Sequence, residues 1–213
     1  MRVRHFSLID NILTQANDAL ITLFTVASDA RKNPSENIAE TVLTPEEKKN
    51  SIGCMRVNHT GEVCAQALYR GQALVSRSDK TRKLLQKSCE EETDHVAWTK
   101  NRLDELQGKI SYFNILFYGN SFLIGAIAGL MGDRWSLGFV SETEIQVAKH
   151  LQNHLEKLSE KDLRSRAIVL QMHDEELQHE KKAVDAGAVE LPFFIKKLMQ
   201  LHARMMTVTA YFI

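Results

Sequence analysis

Two short stretches of the sequence carry side chains that can do chemistry together. EETDH, residues 91–95, and EELQH, residues 175–179, both read E-E-x-x-H. On a helix, residues three apart share a face, so Glu92 with His95, and Glu176 with His179, can each grip one ion. A motif this short also arises by chance, so its weight depends on what stands at matching distances. Glu62 precedes Glu92 by 30 residues, and Glu144 precedes Glu176 by 32. The chain therefore writes Glu, then E-x-x-H, twice over. A dimetal site inside a four-helix bundle takes one Glu from each of two helices and an E-x-x-H from each of the other two.

Charge points the same way. Four carboxylates turned into one core would each cost several kcal/mol to desolvate if left unpaired. Two divalent cations balance four negative charges, and neutral imidazoles complete the shell. Carboxylate and imidazole donors without thiolate suit iron or manganese better than a structural zinc. Six protein ligands shared by two metals leave positions open for oxygen chemistry. The first acid of each copy, Glu91 or Glu175, lies about 100° further round its helix. It reads as a solvated group or a support behind the ligands, with i, i+4 contact to its own histidine as the other geometry.

Several neighbours have two readings. His150 lies six residues past Glu144 and is either a partner of a ligand or substrate or a core or surface histidine. His154 and His173 read as surface. Asn58 and His59 read as caps before the Glu62 turn. Trp98, Tyr69, Met205, Met206, Tyr211 and Phe212 read as packing, with a quinone contact as a second role for Tyr211.

The rest of the chain must position these groups, and its pattern is helical. There are 3 Pro and 10 Gly in 213 residues, and no alternating run of β-branched residues. Leu8, Ile9, Ile12, Leu13, Ala16, Leu20, Leu23 and Phe24 form one stripe, which reads as an amphipathic helix and not a signal peptide. A polar linker, ARKNPSEN, follows. Thr44, Pro45 and Glu47 write a capping box, and helical spacing runs from there to about Val75. A second helix is expected from about Asp79 to Leu106, ended by Gly108. Residues 110–132 carry no charge, but Asn114, Asn120 and several glycines dilute them, and an interfacial or core-facing hairpin is expected. Helices are then expected from about Leu137 to Leu158, and from a Ser159 cap to Ala186, with Gly187 as the stop. Pro192 opens a last amphipathic helix. Long helices with short connections make a bundle.

The bulk numbers set limits. One domain over 1–213 fits the length, with 1–43 as N-terminal helix and linker, 44–187 as the metal core and 190–213 as the last helix. A net charge of zero gives no electrostatic support for a nucleic-acid partner. Cys54, Cys64 and Cys89 are odd in number and form no C-x-x-C, which fits a reducing compartment. Cys64 reads as a small buried thiol.

RVNHTGEVCAQALYRGQA around Glu62, EETDHVAW around Glu92, SETEIQVAKHL around Glu144 and DEELQHEKKAVDAGA around Glu176 resemble the demethoxyubiquinone hydroxylase (Coq7) family. So does the tail from ELP to AY. The resemblance covers about residues 44–213, with a looser fit before that, and the length is like that of bacterial members. It implies an all-α, ferritin-like four-helix bundle with additional amphipathic helices. It implies a non-haem di-iron monooxygenase of ubiquinone biosynthesis, peripheral at the cytoplasmic side of the cell inner membrane. Such an enzyme hydroxylates a 2-polyprenyl-3-methyl-6-methoxy-1,4-benzoquinol with O2, with NADH as the implied reductant. The family ligands carried over are Glu62, Glu92, His95, Glu144, Glu176 and His179. Some members have a tyrosine after the histidine matching His150, and Leu151 stands there here.

Three surfaces fit contact with a membrane or a partner: the N-terminal stripe, the uncharged 110–132 segment and FFIKKLMQLHARMM near the C-terminus. Helper proteins of the same pathway, or a second copy, are the protein partners in view. The competing functions are a ferritin-like iron-oxidising or storage protein and a di-iron quinol oxidase.

Overall fold

The computed structural model describes residues 8–24 and 31–213. Within them lie seven helices and no strand: α1 (Leu8–Phe24), α2 (Pro45–Val75), α3 (Asp79–Glu105), α4 (Asn114–Leu130), α5 (Asp133–Lys157), α6 (Leu163–Asp185) and α7 (Phe193–Phe212). Of the N-terminal stripe, the side chains of Leu8, Ile9 and Ile12 lie outside the described residues.

Helices α2 and α3 form one hairpin and α5 and α6 another, and the two pack together as a four-helix core. The α2 start follows the capping box: Glu47 N–H donates to Thr44 Oγ1, while Glu47 Oε2 accepts from the Thr44 N–H at 2.8 Å. Helix α4 links the two hairpins and lies along α2. Helix α7 packs on α2 and α5.

Apolar and polar layers alternate along the bundle axis. Met55, Trp98, Leu151, Ile168 and Met172 belong to one buried cluster, and Tyr69, Leu85, Leu137, Val140 and Ala183 to another. On each core helix the expected ligand positions, Glu62, Glu92 and His95, Glu144, or Glu176 and His179, fall between those two groups. The core thus encloses a charged layer between two apolar ones.

Four expectations change. Residues 110–132 form no hairpin, because their glycines sit inside one helix and let it approach α2. A Cβ at Gly125 would stand 2.2 Å from the Leu68 carbonyl oxygen, and one at Gly71 would stand 2.1 Å from that of Phe122. Only glycine permits backbones that close. No helix among the described residues is long and apolar enough to cross a membrane.

The left-handed residue after α3 is Gln107 (φ 59°), not Gly108. The Gly108 N–H donates to the Leu103 carbonyl at 2.7 Å, and a Cβ at 108 would stand 2.9 Å from Ile52, so this glycine serves close packing. Helix α5 starts at Asp133, four residues before Leu137, because Asp133 Oδ1 accepts from Ser76 Oγ at 2.7 Å and from the Arg77 N–H at 3.2 Å. The cap of α6 is Asp162, whose side chain accepts from the Ser165 N–H at 3.1 Å. Ser159 instead donates to Glu47 at 2.8 Å.

Candidate metal centre

The six side chains predicted from spacing meet in the middle layer. Glu62 on α2, Glu92 and His95 on α3, Glu144 on α5, and Glu176 and His179 on α6 are each 3% exposed or less. His95 Nδ1 lies 2.8 Å from Glu92 Oε2, 3.2 Å from Glu176 Oε1 and 3.7 Å from Glu62 Oε2. His179 Nδ1 lies 3.0 Å from Glu92 Oε1 and 3.1 Å from Glu176 Oε2. The donor atoms fall into two sets, each within 4.8 Å: Glu62, Glu92, His95 and Glu176, then Glu92, Glu144, Glu176 and His179. Glu92 and Glu176 belong to both.

This geometry fits a pair of cations. Both oxygens of Glu92, one each of Glu144 and Glu176, and His95 Nδ1 are buried with no aligned hydrogen bond, although the imidazoles lie at ion-pair distance from Glu92 and Glu176. Orphaned polar atoms in a core are costly, and these converge on one space.

The protonation balance agrees. Burial first, then the charges of neighbouring carboxylates, drives Glu62 and Glu144 well above the usual carboxylate range. Burial opposes charge on His95 and His179 too, but the surrounding carboxylates win and hold both imidazoles protonated. Glu92 stays ionised despite burial because those two histidines flank it. Without cations, then, the layer keeps protons to offset its charge, and binding metal must release them.

The first acids of the two motifs are neither free surface groups nor partners of their own histidines. They cross over. His95 Nε2 lies 2.8 Å from Glu175 Oε2, and His179 Nε2 lies 2.7 Å from Glu91 Oε2. A carboxylate only accepts, so each Nε2 carries the hydrogen. With a metal in place each Nδ1 then offers a lone pair to the cluster, the arrangement typical of ligating histidines. The hydrogen bond from His179, then that from Lys182, lowers Glu91 to about 2 against its burial. Burial works to raise Glu175, yet bonds from His95, Arg31 and Gln171 bring it to about 2. The doubled glutamate was the signal for this pairing, but which helix each would serve depends on how the hairpins pack.

Other singled-out residues fall elsewhere. Asn58 and His59 sit inside α2, buried, and cap nothing. His154 is buried and not surface, with Nδ1 2.7 Å from Asn58 Oδ1. The His150 and His154 rings meet edge to face, with centroids 4.0 Å apart and planes at 62°. Tyr211 donates to Asn50 Oδ1 at 2.9 Å and packs on Gly53. Trp98 is core, its ring 5.4 Å from His95, and Tyr69 is core as well. Met205 and Phe212, expected to pack, are 64% and 72% exposed because the apolar stripe of α7 faces outward. His173 is partly buried beside Asp174. All three cysteines are free; Cys54 and Cys89 are buried and Cys64 partly so.

Residues 49–210, which include every one of the six convergent side chains, match the family described as Ubiquinone biosynthesis protein COQ7. The chain belongs to the COQ7 family. Its relatives in that family cover nearly its whole length. The 3-demethoxyubiquinol 3-hydroxylase of Coxiella burnetii is 51% identical over 210 residues, 99% of this chain and 98% of that one. Proteins of the same name from Chromobacterium violaceum and Legionella pneumophila are 48% and 47% identical, over 96% and 99% of this chain and 99% and 100% of theirs. The helical COQ7 fold thus carries here a buried carboxylate and histidine layer suited to two metal ions.

Proposed function

We propose that this chain is a di-iron monooxygenase of ubiquinone biosynthesis that hydroxylates a demethoxyubiquinol ring. The observation that carries the reading is the pair of overlapping donor sets sharing Glu92 and Glu176. The names of its relatives identify the substrate class. We read 1–213 as one functional unit with 44–187 as the metal core.

Glu62 and His95 would hold one ion and Glu144 and His179 the other, with Glu92 and Glu176 offering oxygens to both donor sets. A pair of iron ions bound there supplies the redox chemistry that activates O2. The residues do the rest. The four glutamates would balance the charge of the two ions, and a carboxylate can turn between one and two oxygen contacts to make room for a reactant. Glu91 and Glu175 fix the tautomer and direction of the two imidazoles. The apolar layers above and below keep water from the pair. Overall, the quinol ring gains one oxygen atom of O2 in place of a ring hydrogen. The second oxygen leaves as water with two protons and two electrons from a reductant such as NADH.

The substrate carries a polyprenyl tail, so the enzyme must meet it at a lipid surface. Phe194, Leu198, Leu201, Met205, Val208 and Phe212 recur at helical intervals along α7, and all are exposed. Leu116, Leu123, Ile127 and Leu130 do the same on α4, and His202 Nε2 joins the two helices through Asn120 Oδ1 at 3.0 Å. Two exposed apolar stripes of this length are unusual on a free surface. They support peripheral attachment, which we assign to the cytoplasmic side of the cell inner membrane. An iron-storage protein would have no use for such stripes.

The test is iron content and product together. Anaerobically loaded protein should bind two irons per chain and convert a short-chain demethoxyubiquinol to a product 16 mass units heavier, the mass of one oxygen, roughly one per turnover. Two irons without that product would leave an oxidase or ferroxidase. No iron binding would end the reading.

A further inference from the structure

The two histidines are backed in different ways. Behind His179, Glu91 is met by Lys182 Nζ at 2.7 Å, a residue of α6 itself. Behind His95, Glu175 is met by Arg31 Nη1 at 2.7 Å and by Gln171 Nε2 at 2.5 Å. Arg31 belongs to no core helix. It stands in an irregular strap, described over residues 31–40, that lies across α3 and α6. The far end of the strap is pinned by Glu40, which accepts from Arg102 at 2.6 and 3.1 Å. Between them Ser35 is buried and donates to Asn33 Oδ1 at 2.8 Å.

The Arg31 side chain makes four contacts at once, one of them from Nη2 to the Glu91 carbonyl oxygen at 3.5 Å. Besides Glu175, its Nε donates to Asp94 Oδ2 at 2.5 Å, and its guanidinium carbon lies 4.9 Å above the Trp98 ring. Glu175 holds His95 by hydrogen bond and Trp98 packs 5.4 Å from the same imidazole. Both supports of that ring therefore rest on one guanidinium. A planar fork with a flat face can bridge two carboxylates while stacking on indole, and a lysine cannot.

We propose that Arg31 is a positioning residue for the reaction: the docked strap sets Glu175 and Trp98, and through them the His95 imidazole. The strap thereby fixes one of the two metal positions and leaves the other to Lys182. This rests on the di-iron reading above.

The test uses the full chain loaded anaerobically with ferrous iron, followed by binding titration and Mössbauer spectroscopy. Wild type should bind two ions with two resolved signals. In Arg31→Gln one ion should bind about tenfold more weakly, the scale seen for supports behind metal ligands, with one signal altered. Lys182→Gln should alter the other signal. If Arg31→Gln does not fold, Arg31→Lys carries the test, with a smaller loss confined to the same signal. A lower thermal midpoint with both signals unchanged, or equal weakening at both positions, would mean a merely structural strap and overturn the proposal. Wild type binding fewer than two ions would instead overturn the di-iron reading itself.

Discussion

His95 of α3 is held from behind by Glu175 of α6, Nε2 to Oε2 at 2.8 Å, and α6 receives the same support in return where Glu91 of α3 meets His179 at 2.7 Å. The reciprocity ties the two hairpins together through the very histidines that face the cluster. Each metal-facing Nδ1 is thus aimed by a carboxylate from the opposite hairpin.

Replacing Glu91 by Gln keeps the shape of that support and removes its charge. Metal affinity at the His179 position should fall about 10- to 100-fold, with helix content by circular dichroism unchanged. An unaltered iron titration would show that the crossed bond does not orient the ring.

Glu144→Gln should change stability in opposite directions with and without metal. In the metal-free protein, burial and the Glu176 charge oppose ionisation of Glu144, so the neutral isostere should stabilise by about 1 kcal/mol or more. In the iron-loaded protein the lost ligand should lower the melting midpoint and abolish turnover. Calorimetry on both forms checks the crossing; parallel shifts would contradict it.

The approach of α4 to α2 sets a packing prediction. Gly125→Ala places a methyl 2.2 Å from the Leu68 carbonyl oxygen, which should destabilise by about 2 to 4 kcal/mol. Gly119→Ala, with nothing within 4 Å of the new Cβ, should be neutral or gain up to about 1 kcal/mol. Urea midpoints for the pair decide it, and equal effects would refute the close approach.

Burial, then the charges of His150 and Lys157, holds the His154 imidazole down at about 3. In the unfolded chain it would titrate near 6.5. The folded value is the lower one, so this stability is fully present above pH 7 and is lost as pH falls through 6.5 toward 3. At pH 5 the loss from His154 is about 2 kcal/mol. His154→Gln should therefore lose about that much less between pH 8 and pH 5, by denaturant unfolding of the metal-free protein. Equal losses would mean the imidazole is not buried neutral.

How much of this could be read in advance differs from residue to residue. Spacing alone marked Glu62, Glu92, His95, Glu144, Glu176 and His179, because ligation by i, i+3 pairs leaves a local signature on a helix. The capping box at Thr44 was legible for the same reason. The doubled glutamates marked Glu91 and Glu175 as supports, but which histidine each one serves, and the contact of Arg31 with Asp94 and Glu175, depend on packing and leave no local trace. Residues 110–132 misled because their glycines read only as diluting the apolar run, whereas Gly125 serves a helix contact. Asn58 and His154 looked like cap and surface, since a polar pair that satisfies itself in the core looks in sequence like two exposed residues.

The most direct measurement of the central claim is the fate of labelled oxygen. Iron-loaded protein would be given a short-chain demethoxyubiquinol, NADH and 18O2, with Glu144→Ala alongside, and the quinone product analysed by mass spectrometry. One 18O atom in the wild-type product and none with the variant is the predicted result. Oxygen consumed without label in the ring would contradict the monooxygenase and leave a metal centre that only oxidises quinol.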